Sequence, residues 1–142
     1  MEPRVIQSGP PPGARLGITE VQIHALVHGF YDKIRNDAVL GPIFEREITD
    51  WTPHLAKMCD FWSSVILMSG RYHGRPVPAH MKIAGLSPEN FARWLELFRA
   101  TAHETFTDEA AALLIDRAGR IAQSLEMMVA FKNSEFPTRS AS

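Results

Sequence analysis

Apolar residues recur along the middle of the chain at helical spacing, and no stretch alternates for long between apolar and polar. The pattern predicts helices and no sheet. Ile23, Leu26, Val27, Phe30 and Ile34 form one stripe, which predicts a helix over about 19–35. Thr19 is its expected N-cap, and Glu20 suits the positive end of the dipole. Tyr31 lies on the edge of that stripe. A short segment from Ala38 to Phe44 follows, with an expected break at Gly41-Pro42. A second long helix is predicted over about 52–68. Thr52 is its expected cap, and Pro53 falls in the first position, where a missing N–H costs nothing. Two neighbouring apolar rows share this helix: His54, Met58, Phe61, Val65 and Met68, then Leu55, Cys59, Trp62 and Ile66. So broad a face needs two things to pack against. Lys57, Asp60 and Ser64 mark its wet side.

From Ser69 to Leu86 the helical pattern fails, because Gly70, Gly74, Pro76, Pro78 and Gly85 permit only short turns. A third helix starts at Ser87-Pro88-Glu89 and carries Phe91, Trp94, Leu95, Leu97, Phe98, Ala102 and Phe106 on one face. A fourth starts at Thr107-Asp108-Glu109 and runs to about Lys132, with Leu114, Ala118, Ile121, Leu125 and Met128 as its core stripe. Three parts follow: a Pro/Gly-rich, loosely packed extension over 1–17, one helical domain over 18–132, and a tail over 133–142.

Composition narrows the function classes. The chain has 142 residues, room for one domain with a core large enough to hold a small cofactor. Its 15 basic and 16 acidic residues leave a net charge of -1. A whole-protein affinity for nucleic acid or an anionic membrane is not expected. No apolar run, Val65 to Met68 included, approaches the length of a membrane span. Cys59 is the lone cysteine, so no internal disulfide forms, and since Met1 to Gly17 has no continuous apolar region to make a secretory signal, a cytoplasmic location is expected.

Among the six histidines, two stand out. His54 sits on the apolar face of the second helix, and His80 lies in a proline-bounded loop between Ala79 and Met81. Taken singly, one reads as a core histidine with a hydrogen-bond partner and the other as an exposed loop residue. Taken together, they fit a haem, which needs an apolar slot, an axial imidazole on one face and polar groups on the other. His24 and His28, four apart, have a spacing that allows one metal ion to bridge a turn, but no third ligand is evident nearby. His73 and His103 read as surface residues. Tyr31 and Trp94 each pair a large apolar body with one polar handle, which calls for a partner when buried. Cys59 has no helix N-terminus or base to activate it as a nucleophile.

These residues carry a resemblance. Phe30-Tyr31, Leu40-Gly41-Pro42-Ile43-Phe44, Trp51 with His54-Leu55, Met58 and Phe61-Trp62 resemble, in order, the first half of a group III truncated haemoglobin. Tyr72, Gly74, Pro76 and His80 resemble the stretch that delivers its proximal histidine. Phe91, Trp94-Leu95, Leu97-Phe98 and Thr101 resemble the helix that follows. The similarity spans about residues 18–131. The paired-glycine motifs of other truncated haemoglobins are absent, as in group III, whereas Asn90 stands where many relatives carry histidine.

The resemblance implies an all-α, globin-like fold: a truncated two-over-two helical sandwich around haem b (iron protoporphyrin IX). It makes His80 the proximal iron ligand. Tyr31, His54 and Trp94 line the distal side, with His54 a further donor, a gate or a sixth ligand. Phe44 packs on the haem plane, Met58 lies over the ligand site, and Leu97 and Phe98 form pocket wall. Tyr72, Arg75 and Lys82 are candidate propionate partners. The implied function is reversible binding of O₂, NO, CO or a similar small ligand at an open sixth iron position. Redox turnover of nitric oxide or peroxide is a further option. It requires a separate reductase, since no flavin or nicotinamide motif is present. The alternative from the residues alone is a haem-free helical interaction domain, in which Trp51, Trp62 and Trp94 are only core.

Overall fold

A computed structural model of the chain describes residues 10–73 and 87–135, with side chains to Met127. All regular structure among these residues is helical: α1 (Pro12–Arg15), α2 (Glu20–Asn36), α3 (Leu40–Glu47), α4 (Trp51–Leu67), α5 (Pro88–Thr105) and α6 (Asp108–Glu135). Helix α2 is the hub. It packs on α3, α4 and α5, while α5 pairs with α6 and α1 rests on α4.

The sequence stripe of α2 becomes its buried face: Ile23, Leu26, Val27, Phe30 and Ile34 are almost fully enclosed. Its start is fixed by a reciprocal capping box. Gln22 N–H donates to Thr19 Oγ1 at 3.2 Å, and Thr19 N–H donates to Gln22 Oε1 at 3.0 Å. Helix α5 is capped by Ser87, whose Oγ accepts from Asn90 N–H at 3.2 Å. Helix α6 is capped by Thr107, which accepts from Ala110 N–H at 3.3 Å.

Three local expectations change. Helix α4 begins two residues earlier than its proline suggested. Its N-cap is Asp50 and not Thr52, and the cap makes no side-chain hydrogen bond. Pro53 still lies in the first turn, where backbone N–H groups have no helical acceptor. Gly41-Pro42 does not break α3, because Pro42 also falls in a first turn. Glycine is required there by proximity, since a Cβ on Gly41 would lie 2.7 Å from the Arg35 carbonyl oxygen. The Pro/Gly-rich stretch is not loose over Pro12–Arg15. This turn of helix is seated on α4, with Gly13 pressed against Ile66 so closely that a Cβ would collide with it.

The core joins both helical pairs through aromatic rings. Phe30 of α2 meets Phe98 of α5 edge-on at 5.1 Å, and Phe98 meets Trp62 of α4 at 5.1 Å. Helix α4 buries Met58, Phe61, Trp62 and Ile66, while Leu55, Cys59 and Val65 stay half-buried. Its broad apolar face is therefore only partly covered by the described helices.

Candidate functional site

Tyr31 follows Phe30 on α2, so the two side chains leave the helix about 100° apart. Phe30 enters the α2–α5 core. Tyr31 turns toward α3 and α4 and is 3% exposed. His54, near the start of α4, meets the Tyr31 ring edge-on at 5.2 Å. Trp51 stands one turn before His54 and meets it at 5.7 Å and 89°. Trp51 also lies 5.8 Å from Tyr31, and Phe44 of α3 lies 6.3 Å from Tyr31 on another side. Tyr31, His54 and Trp51 thus make a closed triangle of rings walled by Phe44. Trp94 of α5 joins through Phe30, which lies 5.3 Å from Trp94 and 5.1 Å from Tyr31.

Two donors sit on enclosed side chains of this cluster. Tyr31 Oη and Trp94 Nε1 belong to buried side chains, and no hydrogen bond among the described residues engages either. Each donor, on a side chain otherwise enclosed, is left open to an acceptor that the described helices do not supply. Burial pushes the Tyr31 pKa well above its ordinary value. The hydroxyl therefore keeps its proton, and remains a donor, across the working pH range. His54 is half-buried, with its Nε2 enclosed.

The outer side of the cluster is polar. Trp51 Nε1–H donates to Glu45 Oε1 at 3.2 Å. Glu45 Oε2 accepts from Arg35 Nε at 2.9 Å. Arg35 and then Trp51 hold the Glu45 carboxyl below its usual pKa. The guanidinium of Arg35 in turn lies over the Trp51 ring at 4.4 Å.

The remaining expected residues divide clearly. Phe44, Met58 and Phe98 are buried, and Leu97 is half-buried. Tyr72 is half-buried, packs edge-on against Phe61 at 5.3 Å, and is held by its N–H donating to Ser64 Oγ at 2.8 Å. His80, Arg75 and Lys82 lie outside the described residues. His24 and His28 are exposed and stacked at 4.0 Å. Partial burial and then the His24 charge lower the His28 pKa. No group of three or more candidate metal ligands exists among the described residues, so this pair gains no third ligand there. Trp51 closes the ring triangle, a part that its residue type alone does not announce. The signal was its spacing of three from His54, which puts the two on one helix face.

Two depressions lie away from the cluster. One, of about 340 Å³, is lined by Pro12, Ile66 and Leu113, and the other, of about 390 Å³, by Phe91, Leu95 and Ala122. Neither carries a histidine or an unpaired buried donor. No helix among the described residues is long and apolar enough to cross a membrane.

The helical arrangement is that of the two-over-two haemoglobins. Solved structures bear this out. A Synechococcus haemoglobin in a cyanomet state with covalently attached haem matches at TM-score 0.70 and 20% identity, covering 82% of this chain and 98% of that one. A group II truncated haemoglobin from Bacillus anthracis matches at TM-score 0.70 and 22% identity, covering 83% and 92%. The group III truncated haemoglobin of Campylobacter jejuni is nearer in sequence: 33% identical over 116 residues, covering 79% of this chain and 91% of that protein. Its crystal structure superimposes at TM-score 0.70. No family sequence model matches the chain. The chain belongs to the group III truncated haemoglobins.

Proposed function

We propose that this chain holds haem b against the broad apolar face of α4 and binds a small diatomic ligand within reach of Tyr31, His54 and Trp94. When bound, haem supplies an iron centre with one position open to such a ligand. In this reading His80 is the proximal ligand, and its other ring nitrogen is held by an acceptor that fixes the ring. Phe44, Met58, Leu97 and Phe98 form the apolar walls. Tyr72, Arg75 and Lys82 are the candidate partners of the propionates.

The observation that carries the reading is a pair of donors on buried side chains, Tyr31 Oη and Trp94 Nε1, which no hydrogen bond among the described residues engages. Each donates to a polar diatomic ligand and slows its escape. The half-covered face of α4 with Leu55, Cys59 and Val65 fits a flat apolar cofactor. Donors that polarise an O–O bond also favour redox turnover of nitric oxide or peroxide, with electrons from a separate reductase. That is the second reading. A cytoplasmic location belongs to the same proposal.

The test is an absorption spectrum of the protein expressed with haem available. A Soret band at one haem per chain, shifting on reduction and again on adding carbon monoxide, is the expected result. A folded helical protein that takes up no haem overturns it and leaves the interaction-domain alternative. Turnover of nitric oxide or peroxide with an added reductant separates the two haem readings.

A further inference from the structure

Trp51 serves two neighbourhoods at once. Inward, its ring closes the triangle with Tyr31 at 5.8 Å and His54 at 5.7 Å. Outward, its Nε1–H is tied to Glu45, and its face is covered by Arg35. The Arg35–Glu45 ion pair at 2.9 Å closes a second triangle. Its three members come from α2, α3 and α4, which are the elements that build the distal side. Arg35 and Glu45 are both near half exposed, at 43% and 46%. An ion pair so exposed adds little to global stability. Its geometry, however, pins the indole at two points: a directional N–H bond at the edge and a cation over the face. A ring pinned in this way cannot turn aside without breaking both.

The half-buried imidazole beside it thus rests edge-on against a ring whose position is set from outside the pocket. Resting on the functional reading above, we propose that Arg35, Glu45 and Trp51 form a latch that holds His54 in the distal cage and so sets the rate of ligand entry. These three are positioning residues, since they act through His54 and not on the ligand.

The experiment is carbon monoxide rebinding after flash photolysis of the haem-loaded full chain. Glu45→Ala removes both of the carboxylate's bonds, and its bimolecular association rate is expected to rise about threefold. Glu45→Gln keeps an acceptor for the indole but loses the charge, and is expected to fall between Glu45→Ala and the parent chain. In a His54→Leu background, Glu45→Ala is expected to change nothing further, because the latch then has nothing to hold. A second readout needs no haem. Hydrogen exchange of the Trp51 indole N–H, followed by NMR in the haem-free chain, is expected to be faster in Glu45→Ala than in Glu45→Gln. An association rate that is unchanged or lower in Glu45→Ala overturns the latch. So does an equal gain in the His54→Leu background, or indole exchange indifferent to Glu45. Failure to load haem at all instead overturns the functional reading.

Discussion

Arg93 holds Asp37 through a single oxygen. Its Nε and Nη2 donate to Asp37 Oδ1 at 2.8 and 2.6 Å, which leaves Oδ2 to accept the N–H groups of Val39 and Leu40 at 3.1 and 2.9 Å. One buried carboxylate thus caps the entrance to α3 and clamps the α2–α3 corner onto α5. Arg93 immediately precedes Trp94, so the clamp also fixes the register of the helix that brings Trp94 to Phe30.

The clamp makes stability depend on acid. The hydrogen bonds from Arg93 chiefly hold the Asp37 pKa below its ordinary value. Its contribution is therefore fully present above the unfolded carboxylate pKa, near pH 4, and is lost as pH falls through the lower folded value. Asp37→Asn is expected to cost about 1 kcal/mol at pH 7, since solvent screens the half-exposed Arg93. Denaturant midpoints measured from pH 6 down to pH 3 are expected to fall less steeply in Asp37→Asn than in the parent. Parallel slopes would place the acid sensitivity elsewhere.

Tyr31→Phe removes one donor and little volume. The O₂ dissociation rate is expected to rise about ten- to a hundredfold, the equivalent of one hydrogen bond of roughly 1.5–3 kcal/mol. Because burial keeps the hydroxyl protonated, the parent rate is expected to show no step attributable to Tyr31 between pH 7 and about pH 10. Stopped-flow displacement of O₂ by carbon monoxide across that range checks both. Trp94→Phe is expected to act in the same direction, and rates unchanged in both variants would show that neither group donates to the ligand.

His80→Ala is expected to abolish or severely weaken haem retention, read as the Soret absorbance per chain after gel filtration. A variant that keeps an ordinary five-coordinate ferrous spectrum would move the iron ligand to another residue.

Gly41→Ala tests packing and not chemistry. A Cβ at this position would lie 2.7 Å from the Arg35 carbonyl oxygen and 3.3 Å from that of Ile34. Both are backbone atoms that cannot swing away. The expected cost is about 1–3 kcal/mol, measured by chemical denaturation of the haem-free and haem-loaded protein alike. An unchanged midpoint would mean that the α2–α3 corner relaxes freely.

The long helices were legible because burial repeats with their own period. Ile23, Leu26, Val27, Phe30 and Ile34 announce α2 without help from any neighbour, and Ser87-Pro88 and Thr107-Asp108 announce two later starts. Local signals were less reliable where two rules overlap. Thr52 before Pro53 resembles a cap, yet the helix begins at Trp51, because the first turn accepts a proline at any of its early positions. Gly41-Pro42 resembles a break for the same reason. Ser63 was invisible in the pattern. It is fully buried, donates to Glu20 at 2.8 Å and pairs with Ser69 at 2.7 Å, a satisfaction that depends on residues far from it in sequence. In the candidate site, Tyr31, His54 and Trp94 were singled out through the family resemblance, since residue type alone leaves each open to a core role. The place of Trp51 between an ion pair and two site rings could not be read from the sequence, since Arg35, Glu45 and Trp51 meet only when three helices are assembled.

The adjacency of Phe30 and Tyr31 has a consequence for how this chain can change over generations. Scaffold and chemistry sit on consecutive residues of one helix whose start is locked at Thr19 and Gln22. Substitutions on the wet side of α2, at Val21, His24 or Asp32, leave that phase untouched. A single inserted or deleted residue between Gln22 and Phe30 would rotate everything downstream by about 100°. A deletion would point the tyrosine into the core, and an insertion would point Phe30 to where the tyrosine now lies. The segment is thus open to drift in letters and closed to drift in length.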